Sequence, residues 1–400
     1  MRDAARALSF FLLAIALPLQ PFDSQAQGPA PIEVTEAGAD YSFGQQAEFT
    51  VEATAEAGIT ALYLYLQLEG QERVEVLPLP FEPGPTVRVR YQRDLRFEPF
   101  PPFGLVTWWW EVRDGADQRL MTEPRTFQYL DDRFAWRVAE ADHVRVYAAV
   151  DDPVYVQAAL DIAETSLLRI AQMLGAQLVT VDIYLYPSLS DLQSALELGG
   201  RDWVGGEARP DLGVVLVAIP PGDAAALQME RDIPHELTHM LLYQVVGAEG
   251  YAFLPAWLDE GLATMNETHP DPHLDLLLEQ AQAEGQLIPT EDLCGAFSAD
   301  PGVARLSYAQ SGSLVRYIRD RYGGTGIRAL LAAYADGASC EGGVVQGLGI
   351  TLERLDLAWR ADLRGLSGWA SWLSDHSLWL MLWGMSLLLA LPMVGGFRRR

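Results

Sequence analysis

Between residues 32 and 130, hydrophobic and polar positions alternate with a period of two. Phe49, Val51 and Ala53 alternate with Glu48, Thr50 and Glu52, and Leu62, Leu64, Leu66 and Leu68 alternate with Tyr63, Tyr65 and Gln67. Successive side chains of a strand point to opposite faces, so each set predicts a strand with one buried face. Val87 and Val89 alternate with Arg88 and Arg90, and the run from Leu105 to Val112 leads into Asp114-Gly115, a hairpin signal. Short strands separated by Gly and Pro clusters predict an immunoglobulin- or fibronectin-like β-sandwich over residues 32–130. The consecutive Trp108, Trp109 and Trp110 cannot all face one core. At least one lies on the outer face, as a binding surface or as edge cover.

Past residue 140 the period lengthens. His143 to Ala149 and Leu178 to Tyr186 read as strands flanking a helix from about Val154 to Leu174. Gly213 to Ile219 reads as another strand, either an edge that could pair with an extended substrate or an interior strand apolar on both faces. Helices are expected over Asp271–Glu284, Tyr308–Tyr322, Thr325–Tyr334 and Thr351–Leu363. The sum is an α+β lobe followed by a helical lobe.

Between the two lobes stands His235-Glu236-Leu237-Thr238-His239. On a helix, positions i and i+4 share a face, so both imidazoles can reach one Zn²⁺, with Glu236 beside the activated water as general base. Pro234 requires this helix either to begin near Asp232, which can cap it, or to kink. A catalytic zinc needs a third protein ligand. Pro255 suits the first position of a new helix, whose first turns carry Asp259 and Glu260, about 100° apart around the axis. Either carboxylate could be the ligand, and Gly261, lacking a Cβ, would let this helix approach the first one closely. His269 and His273 share the i,i+4 spacing, but Pro270 and Pro272 break the helix that would align them. A surface loop is expected there.

These motifs resemble those of the gluzincin metallopeptidases, in which HExxH is followed on the next helix by Trp-Leu-x-Glu-Gly-x-Ala. That segment here is Trp257-Leu258-Asp259-Glu260-Gly261-Leu262-Ala263, so the resemblance selects Glu260 over Asp259. Ser307-Tyr308-Ala309-Gln310-Ser311 is similar to the Ser-Tyr-x-Lys-Gly segment of the M1 aminopeptidase branch, with Gln310 and Ser311 in place of Lys and Gly. The role implied for Tyr308 is stabilisation of the oxyanion. The likeness spans residues 140–366 and points to the peptidase MA-like members of the clan. It implies a thermolysin-like zincin domain, one Zn²⁺ held by His235, His239 and Glu260, catalysis by Glu236 and Tyr308, and a peptide or protein substrate. The amine-anchoring Gly-x-Met-Glu-Asn segment of M1 enzymes has no counterpart. Leu227-Gln228-Met229-Glu230-Arg231 resembles it only superficially and lies almost against the HExxH. An endopeptidase is therefore expected ahead of an aminopeptidase. The competing class is a catalytically inactive surface binding or assembly protein that uses the sandwich.

The ends of the chain add a location. Met1-Arg2 and Arg6 precede an apolar run, Ala7 to Leu17, and Ser24-Gln25-Ala26 has a small-x-small cleavage pattern, so residues 1–26 read as a secretory signal peptide. Residues 377–396 carry no charge and precede Arg398, Arg399 and Arg400. This reads as a single transmembrane helix, flanked by Trp369, Trp372 and Trp379, with residues 397–400 as a cytoplasmic basic tail and the body extracytoplasmic. With 54 acidic against 28 basic residues, no Lys and a net charge of −26, the chain is not expected to bind nucleic acid. Cys294 and Cys340, the two cysteines, form either one disulfide or two unpaired buried thiols. The pattern does not define an oligomeric state.

Overall fold

The structure, a computed structural model, describes residues 31–71, 73–196 and 205–365. The expected signal peptide (1–26), membrane helix (377–396) and basic tail (397–400) lie outside the described residues. Among the described residues no helix is long and apolar enough to cross a membrane. The chain divides into two compact units. Residues 45–98 and 106–127, with the segment ending at Tyr41, form the first, and Ser42–Gly44, Pro99–Leu105 and the chain from Gln128 onward form the second.

The first unit is built from β-sheet. Its strands are β1 (Glu33–Ser42), β2 (Gln46–Leu68), β3 (Glu75–Pro78), β4 (Gly84–Asp94), β5 (Leu105–Asp114), β6 (Arg119–Met121) and β7 (Arg125–Gln128). The two strands expected around Phe49 and Leu64 are halves of the single β2, which pairs with β1, β3, β4 and β5. Its front half buries Ala47, Phe49, Val51 and Ala53, and its rear half buries Leu62, Leu64, Leu66 and Leu68, so the buried parity changes from odd to even. Asp114 and Arg113 of β5 are consecutive, whereas their partners Ile59 and Ala61 are not. Thr60 is thus an extra, bulged residue that realigns the leucines with the core. The same slip breaks the period-two pattern, which is why the sequence reads as two strands. The Asp114 side chain accepts hydrogen bonds from the N–H groups of Ala116 and Gln118 and closes the β5–β6 hairpin. Trp108 and Trp110 are buried, and Trp109, on the other face, stacks on Tyr65 at 5.2 Å.

The second unit contains a five-stranded sheet of β8 (Arg137–Glu140), β9 (Val144–Ala148), β10 (Val181–Tyr186), β11 (Gly206–Arg209) and β12 (Val214–Ala218). Its order is β11-β12-β10-β9-β8. β9, β10 and β12 run parallel, and the edge strands β8 and β11 are antiparallel to their neighbours. All five residues of β12 are buried, so the reading of Gly213–Ile219 as an edge is corrected: the edge is β11. Four residues, Gly-Glu-Ala-Arg, carry too little hydrophobic alternation to announce a strand. β9 and β10 are joined by α1 (Pro153–Leu174). This helix is capped by the Asp152 carboxylate, starts with proline and stops at the left-handed Gly175. Its stripe of Val156, Ala159, Ala163, Leu167 and Ile170 is buried in one core with Val146, Ile183 and Val215 of the sheet.

The remaining elements are α2 (Leu189–Ala195), α3 (Ala225–Tyr251), α4 (Ala256–Asn266), α5 (Pro272–Glu284), α6 (Pro301–Ala335), α7 (Cys340–Leu348) and α8 (Leu352–Leu363). α6 contains the two expected helices, divided at a non-helical residue, and starts upstream of the expected Tyr308, capped by Asp300. Gly323, at φ 68°, interrupts it. α7 was not anticipated, because its Gly-rich sequence has low helix propensity. Its first residue, Cys340, is disulfide-bonded to Cys294 across a separation of 46 residues, which decides between the two alternatives. The Cys294 carbonyl also accepts the N–H of Ala256, the first residue of α4. A Cys294→Ala/Cys340→Ala chain should therefore lose about 4 kcal/mol of unfolding free energy in urea, the loop-closure value for a loop of this size. A loss under ~1 kcal/mol would show that packing alone holds these ends together.

Candidate metal centre

The helix carrying HExxH neither begins at Asp232 nor is capped by it. α3 starts at Ala225 and continues past Pro234, while Asp232 pairs with Arg231 at 2.8 Å. Proline removes the N–H that would bond to the carbonyl four residues back. That freed carbonyl, of Glu230, instead accepts the N–H groups of Thr268 and His269 at 2.9 and 3.3 Å. The proline thus ties the segment after α4 to the helix that carries the histidines. Gly247, at φ 75° and ψ 163°, breaks α3 near its end and precedes the turn that carries Tyr251.

α4 begins one residue later than expected, with Pro255 as its extended N-cap. Gly261 serves a different contact from the one expected. A Cβ there would lie 2.6 Å from the Ser311 carbonyl oxygen and from Val315 Cγ2, so the close approach it permits is to α6 rather than α3.

His235, His239 and Glu260 are brought together, with one potential ligand atom from each inside a 4.8 Å span. Glu260 Oε2 lies 3.4 Å from His235 Nε2 and 3.6 Å from His239 Nε2. Ligands about 2.0–2.1 Å from a tetrahedral Zn²⁺ are about 3.3 Å apart, which these distances approach. Glu260 Oε2 is buried and has no hydrogen-bond partner among the described residues, the condition of an acceptor that a cation would satisfy. The donor set and its spacing fit a metal ion.

The other nitrogen of each imidazole is also engaged. His239 Nδ1 lies 2.8 Å from Asp259 Oδ1, and His235 Nδ1 lies 3.0 Å from Glu267 Oε1. The Tyr251 hydroxyl donates to Asp259 Oδ2 at 3.2 Å. Carboxylates on Nδ1 leave Nε2 free to face a metal and orient the rings. Asp259 is therefore placed behind the cluster rather than in it. Glu267 was missed in the sequence, although it lies two helical turns beyond Glu260 and so on its face. Burial lowers the pKa of both imidazoles, but the carboxylates prevail. Glu260 and Glu267 hold His235 up at about 10, and Asp259 and Glu260 hold His239 well above its usual value. Burial raises Glu260, and the two imidazoles more than reverse this, leaving its carboxyl far below the usual range.

A cleft of about 940 Å³ opens over these groups, lined by β11, α3, α4 and α6. Glu236 lies on its wall, and burial pushes its carboxyl up to about 7 against the pull of the two imidazoles. Gly206 of β11 packs on that carboxylate so closely that a Cβ would sit 2.5 Å from Glu236 Oε1. Tyr308, also lining the cleft, has its hydroxyl 3.5 Å from Glu260 Oε1 and its ring edge-on to Phe297 at 5.2 Å. Gln310, in place of the Lys of the M1 segment, is fully buried and bonds through both amide atoms to the backbone of Ile288. His273 is exposed and paired with Asp271 at the start of α5, and neither it nor His269 belongs to the metal cluster.

No curated protein matches the chain. Among solved structures, one described as a myokine structure is 8% identical, with 25% of this chain and 99% of that chain covered and a TM-score of 0.21. Catalytically inactive OgpA from Akkermansia muciniphila, in complex with an O-glycopeptide substrate, is 13% identical over 26% of this chain and 30% of that one, also at 0.21. The β-1,3-glucan-binding domain of carbohydrate-binding module family 56 is 12% identical over 25% and 100%, at 0.17. Such low scores carry no argument about this chain. The model of the Peptidase MA superfamily matches residues 162–365, more than half of the 400 residues and the whole stretch from α3 to α6. With HExxH, Glu260 and the cleft inside that match, the chain belongs to the Peptidase MA superfamily.

Proposed function

We propose that this protein is a zinc-dependent metallopeptidase that cleaves within peptide chains. The convergence of His235, His239 and Glu260, with Glu236 beside them on the cleft wall, is the observation that carries the reading. Two imidazoles and one carboxylate are a catalytic zinc donor set that leaves a fourth position open. When bound, the metal supplies Lewis acidity, polarising the scissile carbonyl and making hydroxide accessible near neutral pH. Glu236 takes the proton of the attacking water and hands it to the leaving amine. The Tyr308 hydroxyl, the group likened to the M1 branch, donates a hydrogen bond to the developing oxyanion. The strand β11, which among the described residues is at the end of its sheet, lines the same cleft through Gly206, Glu207 and Ala208, where an extended substrate would bind alongside it.

The purified ectodomain should contain one zinc per chain and should cleave peptides with acetylated N-termini as readily as free ones. Cleavage confined to free N-termini would make it an aminopeptidase. Bound zinc and an intact fold without cleavage of any peptide would make it a binding protein.

The N-terminal sheet is read as a sandwich. Phe49, from the front half of β2, meets Trp108, from the strand paired with the rear half, at 5.7 Å, so the sheet folds back on itself. The location is proposed from the sequence pattern of the two ends, as a single-pass membrane protein with its body outside the cytoplasm. Protease added to intact cells should digest the body, and truncation before Trp369 should release it. A truncated chain that still pellets with membranes would contradict the assignment of residues 377–396 as the sole anchor.

A further inference from the structure

Resting on the peptidase reading, we propose that a polar pocket beside the metal centre, built on Thr264 and Glu267, is a substrate subsite for a positively charged side chain, lysine or arginine. Positions 260, 264 and 267 recur at the i, i+4, i+7 spacing of one helical face. Thr264 therefore shares the face of α4 that carries Glu260, Glu267 is the residue that ends the helix, and both line the cleft. Thr264 is 3% exposed, and the Glu267 side chain is 6% exposed. Thr264 Oγ1 and Glu267 Oε2 are buried and have no hydrogen-bond partner among the described residues, the other oxygen of Glu267 being engaged by His235. Neither atom has a task in the peptide-bond chemistry. A carboxylate oxygen only accepts, so what completes it must donate. Leaving such atoms unpaired and dry is unfavourable.

The charges around the pocket favour a cation. Arg231 and Asp232 face it from α3, Glu267 from the end of α4, Asp271 from the turn before α5 and Arg305 from α6. Both arginines are already matched, Arg231 with Asp232 at 2.8 Å and Arg305 with Asp271 at 3.4 Å. The exposed His273 shares Asp271. Among the described residues Glu267 makes a close ion-pair contact with His235 alone, through its other carboxylate oxygen. Three acids thus stand against two arginines, Arg231 being drawn to Glu267 and Asp271 as well as to Asp232. Leu274, also on the wall, offers apolar surface to the alkyl stem of a lysine or arginine.

The test uses zinc-loaded Glu236→Gln protein, which should bind peptides without turning them over. N-acetylated peptides are compared in pairs that differ by arginine against citrulline, of equal shape but uncharged, with the pair moved through the positions of the peptide. At one position arginine should bind about tenfold tighter than citrulline, the worth of one hydrogen bond to a charged group, and glutamate should bind weakest. Thr264→Val should narrow that ratio without changing zinc content, and Thr264→Ser should restore it. Equal affinity for arginine and citrulline at every position would overturn the subsite, leaving a pocket that holds only water. So would a ratio that Thr264→Val leaves untouched. The same peptides given to the unsubstituted enzyme separate the two readings. Unselective cleavage would sink the subsite alone, and selective binding without cleavage would sink the peptidase reading alone.

Discussion

Glu236→Gln should reduce turnover of an unstructured protein substrate by about 10²–10⁴, the usual contribution of a general base, while zinc content and fold stay unchanged. Glutamine has the shape of glutamate, so the contact with Gly206 survives and the histidines on either side keep their positions. What disappears is the group that carries a proton from water to the leaving amine. In the same assay Tyr308→Phe should lower kcat by about 10²–10³ with little change in KM, because its hydroxyl acts on charge present only in the transition state. A Glu236→Gln enzyme with a tenth or more of the original rate would remove Glu236 from the chemistry.

The second large effect concerns the metal. Glu260→Ala should abolish stoichiometric zinc binding, because it removes one of three ligands. Asp259→Asn should retain zinc with affinity weakened about 10–100-fold, the range for residues that orient a ligand from behind. Competition with a chelator of known affinity measures both. If Asp259→Asn loses the metal and Glu260→Ala keeps it, the ligand has been assigned to the wrong carboxylate. The pH dependence has a definite sign. In the metal-free chain Glu260 and Glu267 hold His235 up at about 10, and Asp259 and Glu260 raise His239 well above its usual value. Zinc must displace the imidazole protons. Uptake should release protons, and apparent affinity should rise with pH through the neutral range.

HExxH was legible in the sequence because it depends on local spacing, whereas the choice of Glu260 over Asp259 and the role given to Tyr308 came from the resemblance to the gluzincins. Histidines at i and i+4 share a helix face wherever that helix lies, and a proline before a Trp-Leu-Asp-Glu run marks a helix start. The period-two stretches before residue 130 and the α1 stripe were legible for the same reason. Other features depended on distant partners. Pro234 reads as an obstacle until the loop at Thr268 is seen to occupy the carbonyl it frees. Gly261 suggests a close approach without saying to which helix, and only packing shows that it is α6. β11 has no hydrophobic signature and exists because β12 offers it backbone groups to pair with. The separate roles of Asp259 and Glu260 could not be read from composition, since both are carboxylates on adjacent residues. Rotation of about 100° per residue sends one behind His239 and the other into the cluster. What the sequence by itself determined was the pair of histidines with Glu236 between them and the helical character of the segments that carry the candidate donors, because those follow from periodicity within one segment. Only the tertiary structure decided which strand is the edge, which oxygens stay unpaired beside the metal and which cysteine meets which, because each of these depends on segments far apart in the chain being brought into contact.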